Sequence, residues 1–207
     1  TQINVVFAHH SIAESTEPIT QALTLLNEVP ETKFLPLAKR ANTIGALLMG
    51  MAPGQLPGQI SLHDPSKTGL TGWPNLPEHE GKTTDQILES AANEEIDVLF
   101  LLGADPLSDY RNPELAKRAL ENTRTVIAVD LFVNPSVYQS DIIFPAAAFI
   151  ESNGSHTNVE GRITPIRQKV TSPGTSRPDW MIAAEIAWRL DKDLSLIHIS
   201  EPTRLAT

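Results

Sequence analysis

The segment from Glu151 to Arg162, ESNGSHTNVEGR, concentrates side chains that could perform or support chemistry. Ser155 and His156 have the residue types of a nucleophile and its base, whereas the segment as a whole suits a ligand-binding loop or a surface turn. Neighbouring residues point in different directions, and no Gly-x-Ser-x-Gly elbow surrounds Ser155. The hydrolase interpretation is therefore disfavoured, and the other two stay open.

Four residues of this segment favour a ligand loop. Gly154 and Gly161 allow a ligand to approach the backbone closely, and Asn158 offers uncharged donors and acceptors. Arg162 supplies a guanidinium that binds phosphate or carboxylate. A connection of this length with almost no apolar anchor is usually functional or disordered.

Two acidic residues follow apolar runs that are typical of buried strands. Asp105 lies in the turn that begins at Gly103, after the run VLFLL, and Asp130 directly follows TVIAV. Ligands of open α/β sheets bind beyond the carboxyl ends of the strands, where an acid can accept hydrogen bonds from a ribose diol or a guanine edge. The pattern indicates a nucleotide crevice, and helix capping by both acids is the alternative.

Metal and phosphate sites of familiar types are disfavoured. His9 and His10 are adjacent and have no cysteine partner, because the chain contains no cysteine. Cysteine-ligated iron–sulfur clusters and disulfides are excluded within this chain for the same reason. The stretch GMAPGQLPG lacks the Lys-Ser/Thr pair of a phosphate-binding Walker loop.

The elements that must position these residues alternate between helices and apolar strands. Continuous apolar strands indicate a parallel sheet with helices on both faces, so the predicted fold class is α/β, Rossmann-like, with long Gly/Pro-rich loops. The predicted order begins with strand INVVFA, a helix over 13–27, a weaker strand TKFLPLA and an ordered loop over 42–81. It continues with a helix over 84–93, strand IDVLFLLG, a helix over 113–121 and strand TVIAVD. It ends with a short helix, a strand that stops at Pro145, and a last helix from Pro178.

Composition limits the partners. The 207 residues can build one sizeable core, and a net charge of -9 disfavours unaided binding to nucleic acid or anionic lipid. No apolar run approaches the roughly 18 residues that a membrane-spanning helix needs. Nucleic acid and direct membrane insertion are therefore not expected.

The two ends of the chain look foreign or cut. The sequence begins at Thr1 and enters a strand directly, so we expect the N-terminus to be truncated. Residues 194–204, LSLIHISEPTR, match one reading frame of a transposase-type sequencing adapter. We expect 1–193 to be a fragment of an α/β domain and 194–207 to be a non-native tail.

Four stretches of the chain carry a resemblance in their order and spacing. They are NTIGALLMGMAPGQLPG, VLFLLGADPL, VIAVDLFVNPSVYQSDIIFPAAAFIESNGSHTNVEGRI and VTSPGTSRPDWMIAAEIAWRL. Together they resemble the C-terminal half of the molybdopterin oxidoreductase superfamily, and the likeness is strongest to the family of G-type subunits of bacterial NADH-quinone oxidoreductase, respiratory complex I.

The resemblance implies roles for the candidate residues. In catalytic members, a turn and the acid after the next strand hold the guanosine end of a molybdopterin guanine dinucleotide, and a Thr-Asn-x-Glu-Gly-Arg loop lies against the pterin. These cofactor-binding roles would fall on Gly103, Asp105, Asp130, Asn158 and Arg162. Asp105 stands where asparagine is usual, and an acid there repels phosphates.

The resemblance also implies a function, with two alternatives. A fragment of a G-type subunit would be a largely structural part of a complex that moves electrons from NADH to quinone, inactive alone, without metal or catalytic residues of its own. Iron–sulfur clusters would lie in the missing N-terminal part, the partners would be other peripheral-arm subunits, and the complex would sit on the cytoplasmic side of the bacterial membrane. The alternatives are a catalytic molybdopterin enzyme of the formate dehydrogenase or nitrate reductase type and a free-standing nucleotide-binding module.

Overall fold

A three-stranded parallel sheet forms the centre of the protein. The structure is a computed structural model that describes residues 3–8, 17–37, 40–64 and 76–190. Strands β5 (Val98–Leu102), β6 (Thr125–Asp130) and β7 (Ile142–Pro145) pair in that order and in parallel. The connections between them contain helices, which parallel strands require. The predicted α/β class and these three strands are confirmed.

Helices α3 (Thr84–Ala92) and α5 (Pro113–Asn122) pack together beside the sheet. A capping box starts α3, since the Thr83 hydroxyl accepts from the backbone N–H of Gln86 and the Gln86 side chain accepts from that of Thr83. The contact between the helices includes alanines with no exposed surface, which allow the two backbones to approach closely. These alanines are Ala91, Ala116 and Ala119.

One face of the sheet is buried under these helices. Its core consists of Leu99, Leu101, Leu120, Val126, Ala128 and Val137. On the opposite face, helix α7 (Asp179–Leu190) lies beside β7, where Phe144 and Ile182 line a shared cavity. Helices therefore lie on both faces, as predicted.

The second face is covered only in part. In β5, buried and exposed residues alternate, and Val98, Phe100 and Leu102 are 54%, 41% and 47% exposed. The expectation that every central strand is buried on both faces is wrong for β5 and also for β7, in which Ile142 and Ile143 are 43% and 46% exposed. A continuous apolar run does not itself bring a second layer over the strand.

The N-terminal part is a smaller parallel unit. Strand β1 (Ile3–Ala8) pairs with β2 (Thr32–Leu37), and helix α1 (Glu17–Asn27) connects them. Pro36 is tolerated because the sheet has only two strands, each with an unpaired edge among the described residues. Residues 9–16, which include His9, His10 and the predicted start of the helix, lie outside the described residues.

The predicted loop over 42–81 contains short regular elements. Helix α2 (Thr43–Leu48) is followed by an antiparallel pair, β3 (Gln55–Leu56) and β4 (Ile60–Ser61). The prediction of an ordered loop missed these elements because Gly and Pro restrict element length without abolishing pairing. Residues 65–75 and the predicted non-native tail at 194–207 lie outside the described residues. Among those described, no helix combines the length and apolar character needed to cross a membrane.

Candidate functional site

The turn that follows β5, at the carboxyl edge of the sheet, begins at Gly103. This residue has φ +56°, a left-handed conformation that glycine adopts without a steric penalty. Its N–H donates to the carbonyl oxygen of Val129 at 2.9 Å, which ties the end of β5 to β6. The chain then enters the short helix α4 (Pro106–Asp109).

Asp105 connects two loops of this edge. Its carboxylate accepts hydrogen bonds from the Ser136 hydroxyl at 2.5 Å and the Ser136 N–H at 3.3 Å. Ser136 is fully buried at the start of helix α6 (Pro135–Tyr138), and its hydroxyl oxygen accepts from the N–H of Leu107. Burial acts to raise the pKa of Asp105, but hydrogen bonds from Ser136 and Ser108 outweigh it and hold the pKa below its usual value.

Asp130 organises the loop that follows it. One carboxylate oxygen accepts from the N–H groups of Leu131 at 2.6 Å and Phe132 at 3.3 Å, and the other accepts from the Asn134 amide at 2.9 Å. Asn134 in turn caps α6 by accepting from the N–H of Val137. The capping alternative therefore describes part of what Asp130 does, although it acts through Asn134.

A second acid, Asp179, lies close to Asp130. Burial raises the pKa of Asp179, and the negative charge of Asp130 raises it further. Asp179 begins α7, so the two carboxylates that influence each other belong to different elements. The sequence pattern predicts Asp179 only as part of a helix start, because no local signal distinguishes an acid that caps a helix from one that faces a crevice.

The Glu151–Arg162 segment forms most of a β-hairpin instead of a loop. Strands β8 (Gly154–Thr157) and β9 (Ile163–Ile166) pair antiparallel. The Asn158 side chain closes the turn by accepting from the N–H groups of Glu160 at 3.0 Å and Arg162 at 2.9 Å. The sequence predicts a ligand-binding loop or a surface turn for this segment, and neither prediction includes the pairing of residues 154–157 as a strand. Asn158 satisfies backbone groups of the turn between the strands and so permits this pairing.

The hairpin is attached to a different part of the molecule. The Thr157 N–H donates to the Asn42 side chain, at the start of α2, at 2.9 Å. Arg162 is exposed. Hydrogen bonds thus bring Gly103, Asp105 and Asp130 to one edge of the sheet, whereas those that join Asn158 and Arg162 run within the hairpin.

The crevice fits one end of a nucleotide better than the other. The carboxylates of Asp130 and Asp179 suit the N–H donors of a guanine edge or the O–H donors of a ribose diol. Asp105 places a negative charge, stabilised by Ser136, where the resemblance expects an asparagine. A phosphate at Asp105 would meet electrostatic repulsion, so the described residues do not fit a complete dinucleotide.

Comparison with known proteins identifies relatives. The chain is 32% identical over 166 residues to NADPH-Fe(3+) oxidoreductase subunit alpha of Geobacter sulfurreducens, covering 80% of this chain and 19% of the relative. It is 35% identical over 153 residues to a G-type subunit of NADH-quinone oxidoreductase from Rhizobium meliloti, covering 72% and 18%. The assimilatory nitrate reductase catalytic subunit of Bacillus subtilis is 28% identical over 202 residues, covering 91% and 28%.

The chain therefore spans about a fifth to a quarter of the length of these relatives. Residues 4–189 match the family model of the molybdopterin oxidoreductases. This match covers nearly all of the described residues and includes both acids of the sheet edge. The chain belongs to the molybdopterin oxidoreductase family.

Proposed function

We propose that this chain is part of a G-type subunit of an NADH-quinone oxidoreductase, in which its role is mainly structural. The supporting observation is that the acids of the crevice are engaged by their own chain. Asp105 bridges to Ser136, and Asp130 holds the following loop through three hydrogen bonds. Such contacts stabilise the fold without a ligand.

The proposal extends to the surroundings of the chain. Since the chain has no cysteine, iron–sulfur clusters of the complete subunit would be held by other segments. The partners would be other peripheral-arm subunits, and the complex would lie on the cytoplasmic side of the bacterial membrane. The similarity to the G-type subunit of Rhizobium meliloti supports this proposal.

A catalytic molybdopterin-dependent enzyme of the formate dehydrogenase or nitrate reductase type is the second candidate. It is favoured by the similarity to the Bacillus subtilis nitrate reductase and by the position of Asp130 at the end of β6, where an acid would suit a guanine edge. In such an enzyme a bound molybdenum cofactor would supply the redox chemistry. Asp130 and Asp179 would then orient its nucleoside end.

Elemental analysis separates the two candidates. We expect the complete polypeptide that carries this chain, purified anaerobically, to contain iron and no stoichiometric molybdenum. The chain alone should neither oxidise NADH nor hold either metal, because it has no cysteine to hold a cluster and no flavin-site motif. One molybdenum atom per polypeptide would contradict the structural proposal and support the catalytic candidate.

A nucleotide titration tests the predicted crevice residues. If the crevice retains a guanosine contact, Asp130→Ala should weaken GDP binding by about 1–3 kcal/mol, the usual loss for a charge-assisted contact. Asp105→Asn should strengthen binding, because it removes a negative charge near the phosphates. Arg162→Ala tests whether the ligand also reaches the exposed turn of the hairpin, and calorimetry with Arg167→Ala, an exposed arginine beyond β9, provides the control. Equal affinity in the wild type and Asp130→Ala would contradict the assignment.

A further inference from the structure

A cavity of about 380 Å³ lies between α7 and the end of β7. Its floor is apolar and includes Phe144 from β7 and Ile182 and Ile186 from successive turns of α7. Ile182 is only 7% exposed, so this floor is continuous with the protein interior. Small-molecule sites have this character, with volumes of roughly 300–1,000 Å³ and a few polar groups at defined places.

Two arginines and one glutamate supply the charged groups at its rim, where Thr175 adds a hydroxyl. Arg177 donates to one carboxylate oxygen of Glu185 at 2.7 Å, and Arg189 donates to the other at 2.8 and 3.3 Å. The Arg177 and Arg189 side chains are 55% and 67% exposed, whereas that of Glu185 is 32% exposed. An incoming solute can therefore reach both guanidinium groups.

The backbone fixes the position of Arg177. Its N–H donates to the carbonyl oxygen of Pro145 at 3.2 Å, and its own carbonyl oxygen accepts from Ala147 at 2.9 Å. Through these two bonds Arg177 pairs with Ala146 in an isolated parallel β-bridge, just beyond the end of β7. Arg189 lies one helical turn after Glu185 on α7, so the two arginines approach the same carboxylate from separate elements.

Glu185 neither neutralises the charge of the two arginines at the rim nor occupies all of their N–H donors. Two cations and one anion leave one net positive charge. Each guanidinium carries five N–H donors, whereas one carboxylate offers about four lone-pair sites. A second carboxylate is thus accommodated by both the charge and the unfilled donor capacity.

We propose that this cavity binds an apolar carboxylic acid, a short aliphatic or aromatic monocarboxylate. The body of the ligand would lie against Phe144, Ile182 and Ile186, and its carboxylate would bind Arg177 and Arg189. Inorganic phosphate would gain only the rim contact, and an alkylamine of equal length would gain only the apolar one. This assignment uses no residue of the predicted nucleotide crevice and does not depend on the proposed function.

Hexanoate is a suitable probe, with hexylamine and inorganic phosphate as matched controls. In an NMR titration of the isotope-labelled 207-residue chain, hexanoate should produce saturable shifts of the Ile182 and Ile186 methyl signals. Hexylamine, which gains only the apolar contact, should produce much smaller shifts at the same concentrations, and phosphate should produce none. Shifts with hexylamine equal to those with hexanoate, or no saturation with hexanoate, would overturn the proposal.

Two substitutions at the rim should change the affinity for hexanoate in opposite directions. Arg189→Gln should weaken hexanoate binding about tenfold, corresponding to the loss of one charge-assisted contact. Glu185→Gln should strengthen it, because the internal carboxylate no longer competes for the arginines. Glu121→Gln, which alters the Lys117–Glu121 pair on α5, is the matched control and should leave binding unchanged. Circular dichroism verifies that each variant is folded, and weaker binding by folded Glu185→Gln would contradict the carboxylate assignment.

Discussion

Replacing Leu101 by alanine is expected to lower the free energy of unfolding by about 2–5 kcal/mol, because the substitution leaves a cavity in a close-packed core. Leu101 is 6% exposed and belongs to the cluster between the sheet and its helices. Leu102, its neighbour in β5, is 47% exposed on the opposite face. Urea unfolding of Leu101→Ala and Leu102→Ala compares identical chemical changes at adjacent positions.

The neighbouring variant makes the comparison decisive. Leu102→Ala removes the same atoms from a partly solvated surface, so its cost should be about 1 kcal/mol or less. A similar loss in both variants would mean that both faces of β5 are equally buried in solution, contrary to the alternating exposure of this strand.

Replacing Asp105 by alanine should cost about 1–3 kcal/mol, because the fully buried Ser136 loses its charged acceptor. Asp97→Ala, at an exposed acid just before β5, is the control and should change stability by about 0.5 kcal/mol or less. Thermal unfolding at neutral pH measures both. An equally small effect in both variants would show that the contact between Asp105 and Ser136 does not stabilise the fold.

The same contact has a pH dependence of defined sign. The pKa of Asp105 lies below its usual value in the folded state, so the folded chain holds the ionised form more strongly than the unfolded chain does. Its stabilisation is therefore complete above the usual aspartate pKa and is lost as the pH falls through the lower folded value. Asp105→Asn should remove this part of the acid destabilisation. If the free energy of unfolding of Asp105→Asn fell at low pH as steeply as that of the wild type, the assignment would be contradicted.

The sheet was predictable because its signal is local. The runs VLFLL and TVIAVD have the apolar character of buried strands, and the acid that ends the second run is at the predicted edge. Helix α3 begins at the capping pair Thr83 and Gln86, and helix α5 begins at Asn112 followed by Pro113. These features depend on residues a few positions apart, which a single sequence displays directly.

The details that escaped prediction depend on distant residues. The Asn42 side chain accepts from the N–H of Thr157, 115 positions away, and so connects α2 to the hairpin. The contact between Asp105 and Ser136 and the approach of Asp179 to Asp130 also join separate elements. Residue types alone identified Asp105 and Asp130 as candidates, but they could not indicate which groups their carboxylates meet.

The partly covered face of β5 also affects the thermodynamics of unfolding. Val98, Phe100 and Leu102 are already in contact with water in the folded chain, so unfolding hydrates less apolar surface than full burial would imply. Because newly hydrated apolar surface is the main source of the heat-capacity increase on unfolding, that increase should fall below the usual value of about 12–15 cal/mol/K per residue. The stability curve of this chain would then be broad and shallow, with a weak dependence on temperature and a small denaturant slope.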